Sequence, residues 1–326
     1  MKAMVCAALG SADDLELREL DDLTPGPGQL LIRVRTAGVN FPDNLMIAGK
    51  YQERPELPFV PGLELAGEVL ATGDGVTAFE PGQRIAAATG VGAYAEQALV
   101  DAEHAIPIPD SVDDSAAAGL LVVYGTSIHA LRQRADLKAG ETLLVLGAAG
   151  GVGLSAVQLG KVMGARVIAA ASTADKLEVA RANGADELID YGDGELKEKV
   201  KALTGGRGAD VIYDPVGGDL FDQSARCINF NGRLLVIGFA SGRIPQFPVN
   251  LALVKGFSVV GVFWGRFSKK EQPELHRENM QQLFDWMAQG KFELAIDREY
   301  PLAELPAALN RIAARQATGK IIIRVP

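Results

Sequence analysis

Between residues 29 and 39 the chain reads Gln-Leu-Leu-Ile-Arg-Val-Arg-Thr-Ala-Gly-Val, with apolar and polar positions alternating as in a strand that buries one face. Shorter stretches at 63–73, 83–90 and 93–100 repeat the rhythm, and Pro25-Gly26-Pro27-Gly28 and Pro81-Gly82 punctuate it with turns. Residues 1–120 therefore predict a small, antiparallel, barrel-like domain. The opening Met-Lys-Ala-Met-Val-Cys-Ala-Ala-Leu-Gly is apolar but short and runs straight into Asp13, Asp14 and Glu16. It reads as the first strand of a sheet rather than as an export signal.

The rhythm changes after Ser111. Residues 110–135 are rich in helix formers, with Asp113 and Asp114 near the start, where carboxylates favour a helix amino terminus. Buried-type strands then alternate with helices: 141–148, 165–172, 186–191, 209–216 and 232–240 read as strands, with helices in each interval. Continuous apolar strands separated by helices predict a parallel sheet covered on both faces, with Phe257–Trp264 as its last strand. The tail from Ser268 to Pro326 holds two helices and a final strand, Lys-Ile-Ile-Ile-Arg-Val, and is too small for a core of its own. It is expected to rejoin the first domain. The division is then residues 1–121 with 266–326 as one discontinuous domain, and 122–265 as the other.

Composition narrows the function. The 326 residues are 48% apolar and 22% charged, enough to bury a core. The net charge of −9 argues against nucleic acid as a partner, because such binding rests on Lys and Arg neutralising phosphates. No apolar run reaches the roughly 18 residues needed to cross a bilayer. Cys6 and Cys227 cannot build a disulfide framework, and His104, His129 and His276 show no metal-ligand spacing. Few cysteines and no export address make the cytoplasm the expected location.

The chemistry begins at a glycine loop. The strand Leu143–Leu146 leads into Gly147-Ala148-Ala149-Gly150-Gly151-Val152-Gly153, and a helix follows. In this setting Gly147 permits a tight turn, Gly150 lets backbone N–H groups approach a pyrophosphate, and Gly153 lets helix and strand pack closely. Strand, loop, helix and second strand together point to a dinucleotide. An NAD site usually carries Asp or Glu about 20 residues beyond the loop. Here the second strand ends Ala170-Ala171-Ser172-Thr173, without a carboxylate, and Lys176 follows. A hydroxyl and a cation suit a 2′-phosphate, so NADPH is the expected cofactor. A capping box of Ser172 with Asp175, and Lys176 as a solvated charge, would explain the same residues.

At these residues the chain resembles the zinc-independent quinone oxidoreductase branch of the medium-chain dehydrogenase/reductase superfamily, and most of all its quinone oxidoreductase-like group. The marks are Ala37-Gly38-Val39-Asn40-Phe41-Pro42-Asp43, Pro58-Phe59-Val60-Pro61-Gly62-Leu63-Glu64, the glycine loop, Asp214-Pro215-Val216-Gly217-Gly218, Asn250-Leu251, Phe263-Trp264-Gly265-Arg266 and Thr318-Gly319-Lys320. The resemblance implies an α/β protein: a GroES-like antiparallel β-barrel catalytic domain, a Rossmann domain with a doubly wound parallel sheet, and an active-site cleft between them. It also implies a homodimer joined through Rossmann edge strands. The 2′-phosphate would be held by Ser172, Lys176, Tyr191 and Arg315. The rest of the cofactor would meet Asn40, Thr126, Gly147, Ala149, Gly150, Gly151, Val152, Gly153, Val216, Phe239, Phe263 and Gly265.

Zinc alcohol dehydrogenases share the fold, but they require Cys where this chain reads Ala37-Gly38-Val39-Asn40 and His-Glu where it reads Leu63-Glu64. No metal is expected. Without a Lewis acid the natural acceptors are conjugated to a carbonyl, so the expected reaction is hydride transfer from NADPH to a quinone. Asn40, Asp43, Tyr51, Phe263 and Trp264 are the expected pocket. Asn40 would donate to the acceptor oxygen or position the nicotinamide, and Tyr51 would donate a proton or simply wall the pocket. Asp43 fits a turn hydrogen bond as well, and core packing would account for Phe263 and Trp264. The alternative is a reductase of α,β-unsaturated ketones, aldehydes or enoyl thioesters. A non-catalytic cofactor-binding protein, crystallin-like or RNA-binding, is the minor one.

Overall fold

A computed structural model describes all 326 residues, which form two compact units, Met1–Val122 with Met280–Pro326, and Val123–Asn279. The chain passes between them inside two helices, Asp114–Ile128 and Pro273–Ala288. The return thus falls at 279/280 rather than at 266, where no turn signal inside the helix marks it.

The first unit is built on the long strand Gln29–Val39. One of its edges is shared: Gln29–Arg33 pairs with Gln97–Asp101, and Thr36–Val39 pairs with Lys320–Arg324. The other edge pairs with Glu64–Thr72, which passes the ladder on to Arg84–Ala88 and Ala105–Pro107. All of these ladders are antiparallel, as the alternation predicts. The strand Ile296–Pro301, which sequence reading did not find, extends the sheet by pairing in parallel with Lys320–Arg324. Its Asp, Arg and Glu hide it, because a strand at the end of a sheet needs no apolar run. Gly67 is the tight point. A Cβ there would lie 2.1 Å from Arg33 O, so the two longest strands approach only because the side chain is missing.

The second unit is a six-stranded, all-parallel sheet in the order Glu187–Asp190, Arg166–Ala171, Thr142–Leu146, Ala209–Asp214, Ile228–Val236, Ser258–Gly261. Leu143–Leu146, Val167–Ala170 and Val211–Tyr213 are fully buried, which is why those runs are continuously apolar. In chain order the strands lie 3-2-1-4-5-6, the doubly wound arrangement, and the winding reverses between Thr142–Leu146 and Ala209–Asp214. One expectation is corrected at the edge. The last strand ends at Gly261, and Trp264 begins a helical turn instead of closing the strand. With a single neighbour, this edge strand is held only as far as Gly261 pairs Val236.

Candidate active site

The loops after the two strands that flank the reversal meet each other. Gly147 leaves Thr142–Leu146 with φ +57°, and a Cβ on it would stand 3.1 Å from Val216 Cγ2. The loop closes on itself through Gly150 N–H to Gly147 O (3.0 Å) and docks on the neighbouring strand through Ala148 N–H to Ala170 O (3.1 Å). Helix Gly151–Val162 then starts from Gly150, which has no side chain to cap it. Gly153 is demanded by packing, since a Cβ would come within 2.2 Å of Gly147 O. Gly150 is not: its nearest neighbour would be 3.5 Å away, an ordinary contact. A bare backbone at the amino end of a 12-residue helix, with first-turn N–H groups that no cap residue satisfies, fits a pyrophosphate.

Beneath this turn lies a hydroxyl cluster that sequence reading missed. Ser127 Oγ is 2.8 Å from both Ser155 Oγ and Tyr213 OH, and Ser155 Oγ is 2.9 Å from Val152 O and 3.0 Å from Val123 O. It ties the helix at Ser127, the strand at Tyr213 and the first turn at Val152. The only hint was the presence of hydroxyls inside otherwise apolar runs.

The residues expected for the phosphate corner are drawn from both units. Strand Arg166–Ala171 ends just before Ser172, which is exposed. The cap of helix Ala174–Ala182 is Thr173, whose Oγ1 accepts Lys176 N–H at 3.4 Å, so the capping box of Ser172 with Asp175 does not form. The Ser172 hydroxyl is therefore not used by the cap. Tyr191 follows the adjacent strand and donates its N–H to Ala171 O (3.1 Å), which brings Tyr191 beside the end of the strand that precedes Ser172. The acid next to Tyr191, Asp190, accepts Gly192 N–H through Oδ1 at 2.7 Å. Arg315 belongs to the first unit, exposed at φ +58° just beyond helix Leu305–Ala313.

On the other side of the reversal, buried Asp214 holds the next loop, its Oδ1 accepting Val216 N–H and Gly217 N–H at 2.8 Å each. Burial raises this carboxyl to about 6 against the pull of those two amides. Ala240 and Ser241 donate to Pro215 O and Val216 O, which sets half-buried Phe239 on a turn across Val216. Trp264 lies on Gly125, where a Cβ would be 2.8 Å from Nε1, one residue from half-buried Thr126. Phe263 is exposed and Gly265 half-buried, both on the turn that replaces the expected strand end.

In the first unit the expected pocket residues are mostly internal. Asn40 precedes helix Phe41–Ile47, and Asp43 in its first turn accepts Asn40 N–H (2.8 Å) and Tyr94 O–H (2.7 Å) through Oδ2. Asp43 has no exposed surface, so it braces the turn and does not line a substrate pocket. Burial lifts it to about 7, although Tyr94, the Asn40 amide and the Lys320 charge pull it down. Asn40 is 4% exposed; its Nδ2 donates to Glu64 Oε1 (2.8 Å), and its Oδ1 accepts from Lys320 Nζ (2.6 Å). The donor expected for a substrate oxygen is thus committed to Glu64. Tyr51 is half-buried against the core, and burial with the charges of Glu53 and Asp43 raises its phenol above the ordinary range. That keeps it a hydrogen-bond donor. No three His, Cys, Asp or Glu side chains converge as a metal set, and no helix is long and apolar enough to cross a membrane.

Residues 26–110 match the family described as alcohol dehydrogenase GroES-like domain, and residues 151–289 match that described as zinc-binding dehydrogenase. The Nematostella vectensis quinone oxidoreductase-like protein 2 homolog is 41% identical, over 99% of this chain and 88% of its own length. A 2-haloacrylate reductase of Burkholderia is 34% identical, over 98% of this chain and 99% of its own. Escherichia coli quinone oxidoreductase, solved in complex with NADPH, has a TM-score of 0.93 at 28% identity, covering 99% of this chain and 100% of that one. The GroES-like unit and the doubly wound sheet are those of medium-chain dehydrogenases and reductases. Within that superfamily the chain belongs to the quinone oxidoreductase-like branch.

Asp43 carries a pH prediction. Its carboxyl rises from an ordinary value of 3.8 to about 7 on folding, so the folded state holds the proton more tightly. Its contribution to stability is full below about pH 4 and is lost as pH rises towards 7. Asp43→Asn removes the charge, so the urea midpoint of the variant relative to the parent should move in the variant's favour between pH 4 and 8. A pH-independent difference would contradict the assignment.

Proposed function

We propose that the chain is an NADPH-dependent oxidoreductase that reduces a quinone without metal, with the first unit as catalytic domain and the second holding the cofactor. The observation that carries the reading is the strand end at Ala171: Ser172 outside the cap, Lys176 and Tyr191 beside it, and no carboxylate where a free 2′-hydroxyl would need one. Gly147–Gly153 would receive the pyrophosphate, with Ala149, Gly150, Gly151 and Val152 supplying backbone around it. Ser172, Lys176, Tyr191 and Arg315 would hold the 2′-phosphate. Thr126, Val216, Phe239, Phe263 and Gly265 would serve the nicotinamide end, and Asn40 would position it. Bound NADPH supplies a hydride to an electron-poor carbon.

The residues around Glu64 support the metal-free part of this reading. Asn40 and Leu63 stand where the zinc relatives need Cys and His, and what converges on Glu64 is the Asn40 amide, the Lys320 ammonium and Val122 N–H, all hydrogen-bond donors. A hydroquinone anion can take its proton from water, so Tyr51 need only hydrogen-bond the acceptor or wall it. The 2-haloacrylate reductase relative favours a second reading, reduction of an activated alkene by the same hydride delivery. A homodimer is part of the proposal. The edge strand Ser258–Gly261 is supported by exposed Val259, and Phe230, Ile244, Val249, Leu253 and Val254 in the same unit are exposed too. Such an apolar surface suits a second copy. A reducing cytoplasm suits the two buried thiols, Cys6 and Cys227.

NADPH consumption with 1,2- and 1,4-quinones, simple enones and crotonyl-CoA should be fastest with a quinone. Preference for an enone or for crotonyl-CoA would select the second reading. Lys176→Ala should raise KM for NADPH about tenfold, the loss of one charge-assisted hydrogen bond. It should leave KM for NADH within about twofold, whereas equal losses with both nucleotides would remove the phosphate role. In sedimentation the parent should run at about twice the 34.4 kDa chain mass and Leu253→Glu at the chain mass; a monomeric parent would refute the dimer.

A further inference from the structure

Three hydroxyls, those of Ser127, Ser155 and Tyr213, are fully buried beneath the glycine turn of the second unit. Their hydrogens can be placed by counting partners. Tyr213 OH has Ser127 Oγ (2.8 Å) as its only hydrogen-bond partner. The phenol therefore donates to Ser127, since the reverse would leave its hydrogen buried without an acceptor. Ser127 must donate onward, to Ser155 Oγ (2.8 Å) or to Val152 O (3.2 Å). Ser155 in turn donates to Val152 O (2.9 Å) or to Val123 O (3.0 Å). Every hydrogen finds an acceptor, and Val152 O is the one carbonyl that both serines reach.

Val152 O lies at one end of a peptide group whose other end is the Gly153 N–H. That peptide is in the first turn of helix Gly151–Val162. Leu154 N–H is the first there to find a carbonyl, Gly150 O at 2.8 Å, and the N–H groups of Gly151, Val152 and Gly153 find no acceptor within the protein. The contact of Gly153 with Gly147 O sets how close the helix comes, and the hydroxyls set where its first peptide points. A hydroxyl donating to the carbonyl fixes the peptide plane. It also draws electron density towards the oxygen, so the N–H at the far end becomes a stronger donor. We propose that Ser127, with Ser155 and Tyr213, is a positioning residue that holds and polarises the Val152–Gly153 peptide, presetting the Gly153 N–H as a donor to a pyrophosphate. That ligand rests on the functional reading above; the hold on the peptide does not.

Ser127→Ala/Ser155→Ala strands the Tyr213 hydroxyl and should unfold at a clearly lower temperature. Adding Tyr213→Phe removes the last of the three hydroxyls and should regain most of that loss. Binding is then compared at a temperature where the parent and the triple variant are both folded. If the cluster serves the fold alone, the triple variant should bind NADPH as the parent does. If it presets the Gly153 N–H, Kd should rise about fivefold, and by the same factor for NADPH, NADH and ADP, which share the pyrophosphate. A second readout needs no nucleotide. In protein labelled with 13C-carbonyl valine and 15N-glycine, Val152-Gly153 gives one of four Val-Gly signals and is assigned by its loss in Val152→Leu. Without the hydroxyls its carbonyl 13C and amide 15N resonances should both move upfield, while those of Val91-Gly92, in the first unit, stay in place. Ser127→Ala/Tyr213→Phe, which keeps Ser155 as a donor, should show the same changes at smaller size. Unchanged Val152-Gly153 resonances, a loss confined to NADPH, or affinity that recovers together with thermal stability would overturn the proposal. A parent with no affinity for any of the three nucleotides would instead remove the functional reading, and the resonances would still decide the hold on the peptide.

Discussion

The close approach of helix Gly151–Val162 to the strand before it is the constraint on which the second unit depends. At Gly153 the helix rests on the carbonyl of Gly147, at a distance no other residue permits. That contact aims the uncapped first turn at the point where the winding of the sheet reverses, and where the Val216 loop, held by Asp214, comes up beside Gly147. The hydroxyls of Ser127, Ser155 and Tyr213 then stiffen the turn from below. If this turn receives the proposed pyrophosphate, its donors are in place before the ligand arrives, where ordering them on binding would cost affinity.

The first unit is organised around polar groups that its sheet has enclosed. Asp43 with Tyr94, and Lys320 with Glu64 and Asn40, lie in a core otherwise apolar, mostly Leu, Ile, Val and Ala. Groups so deeply buried bond to one another, and these bonds turn side chains that look like free chemistry into fixed geometry. Asn40 and Asp43 are the clearest instances. As isolated residues after a barrel strand they have the character of substrate contacts. In the fold one is an amide braced by Lys320 and Glu64, and the other is a turn brace with no exposed surface.

The glycine turn was legible because its shape is a property of the backbone, and the residues that permit unusual backbone are few. The parallel sheet was legible because strands buried on both faces must be continuously apolar, as Leu143–Leu146 and Val167–Ala170 are. Strand Ile296–Pro301 was not, for it has a neighbour on one side only and tolerates Asp297, Arg298 and Glu299. The turn at Trp264 was not either: Phe-Ser-Val-Val-Gly-Val-Phe-Trp carries the composition of a strand, and where pairing stops depends on the partner, which ends at Val236.

What the sequence by itself determined is the class of each unit and the strand–glycine turn–helix that opens the second, all of which follow from local pattern and backbone freedom. Only the tertiary structure decided which polar side chains remain available. Thr173 rather than Ser172 caps its helix, because the backbone bends one residue later than the capping-box spacing suggests. Lys320 reaches Glu64 and Asn40 because strand Lys320–Arg324 returns, across 280 residues of chain, to pair with Gln29–Val39. Hydrogen-bond partners separated by that length of sequence are set by strand pairing, and no local pattern encodes them.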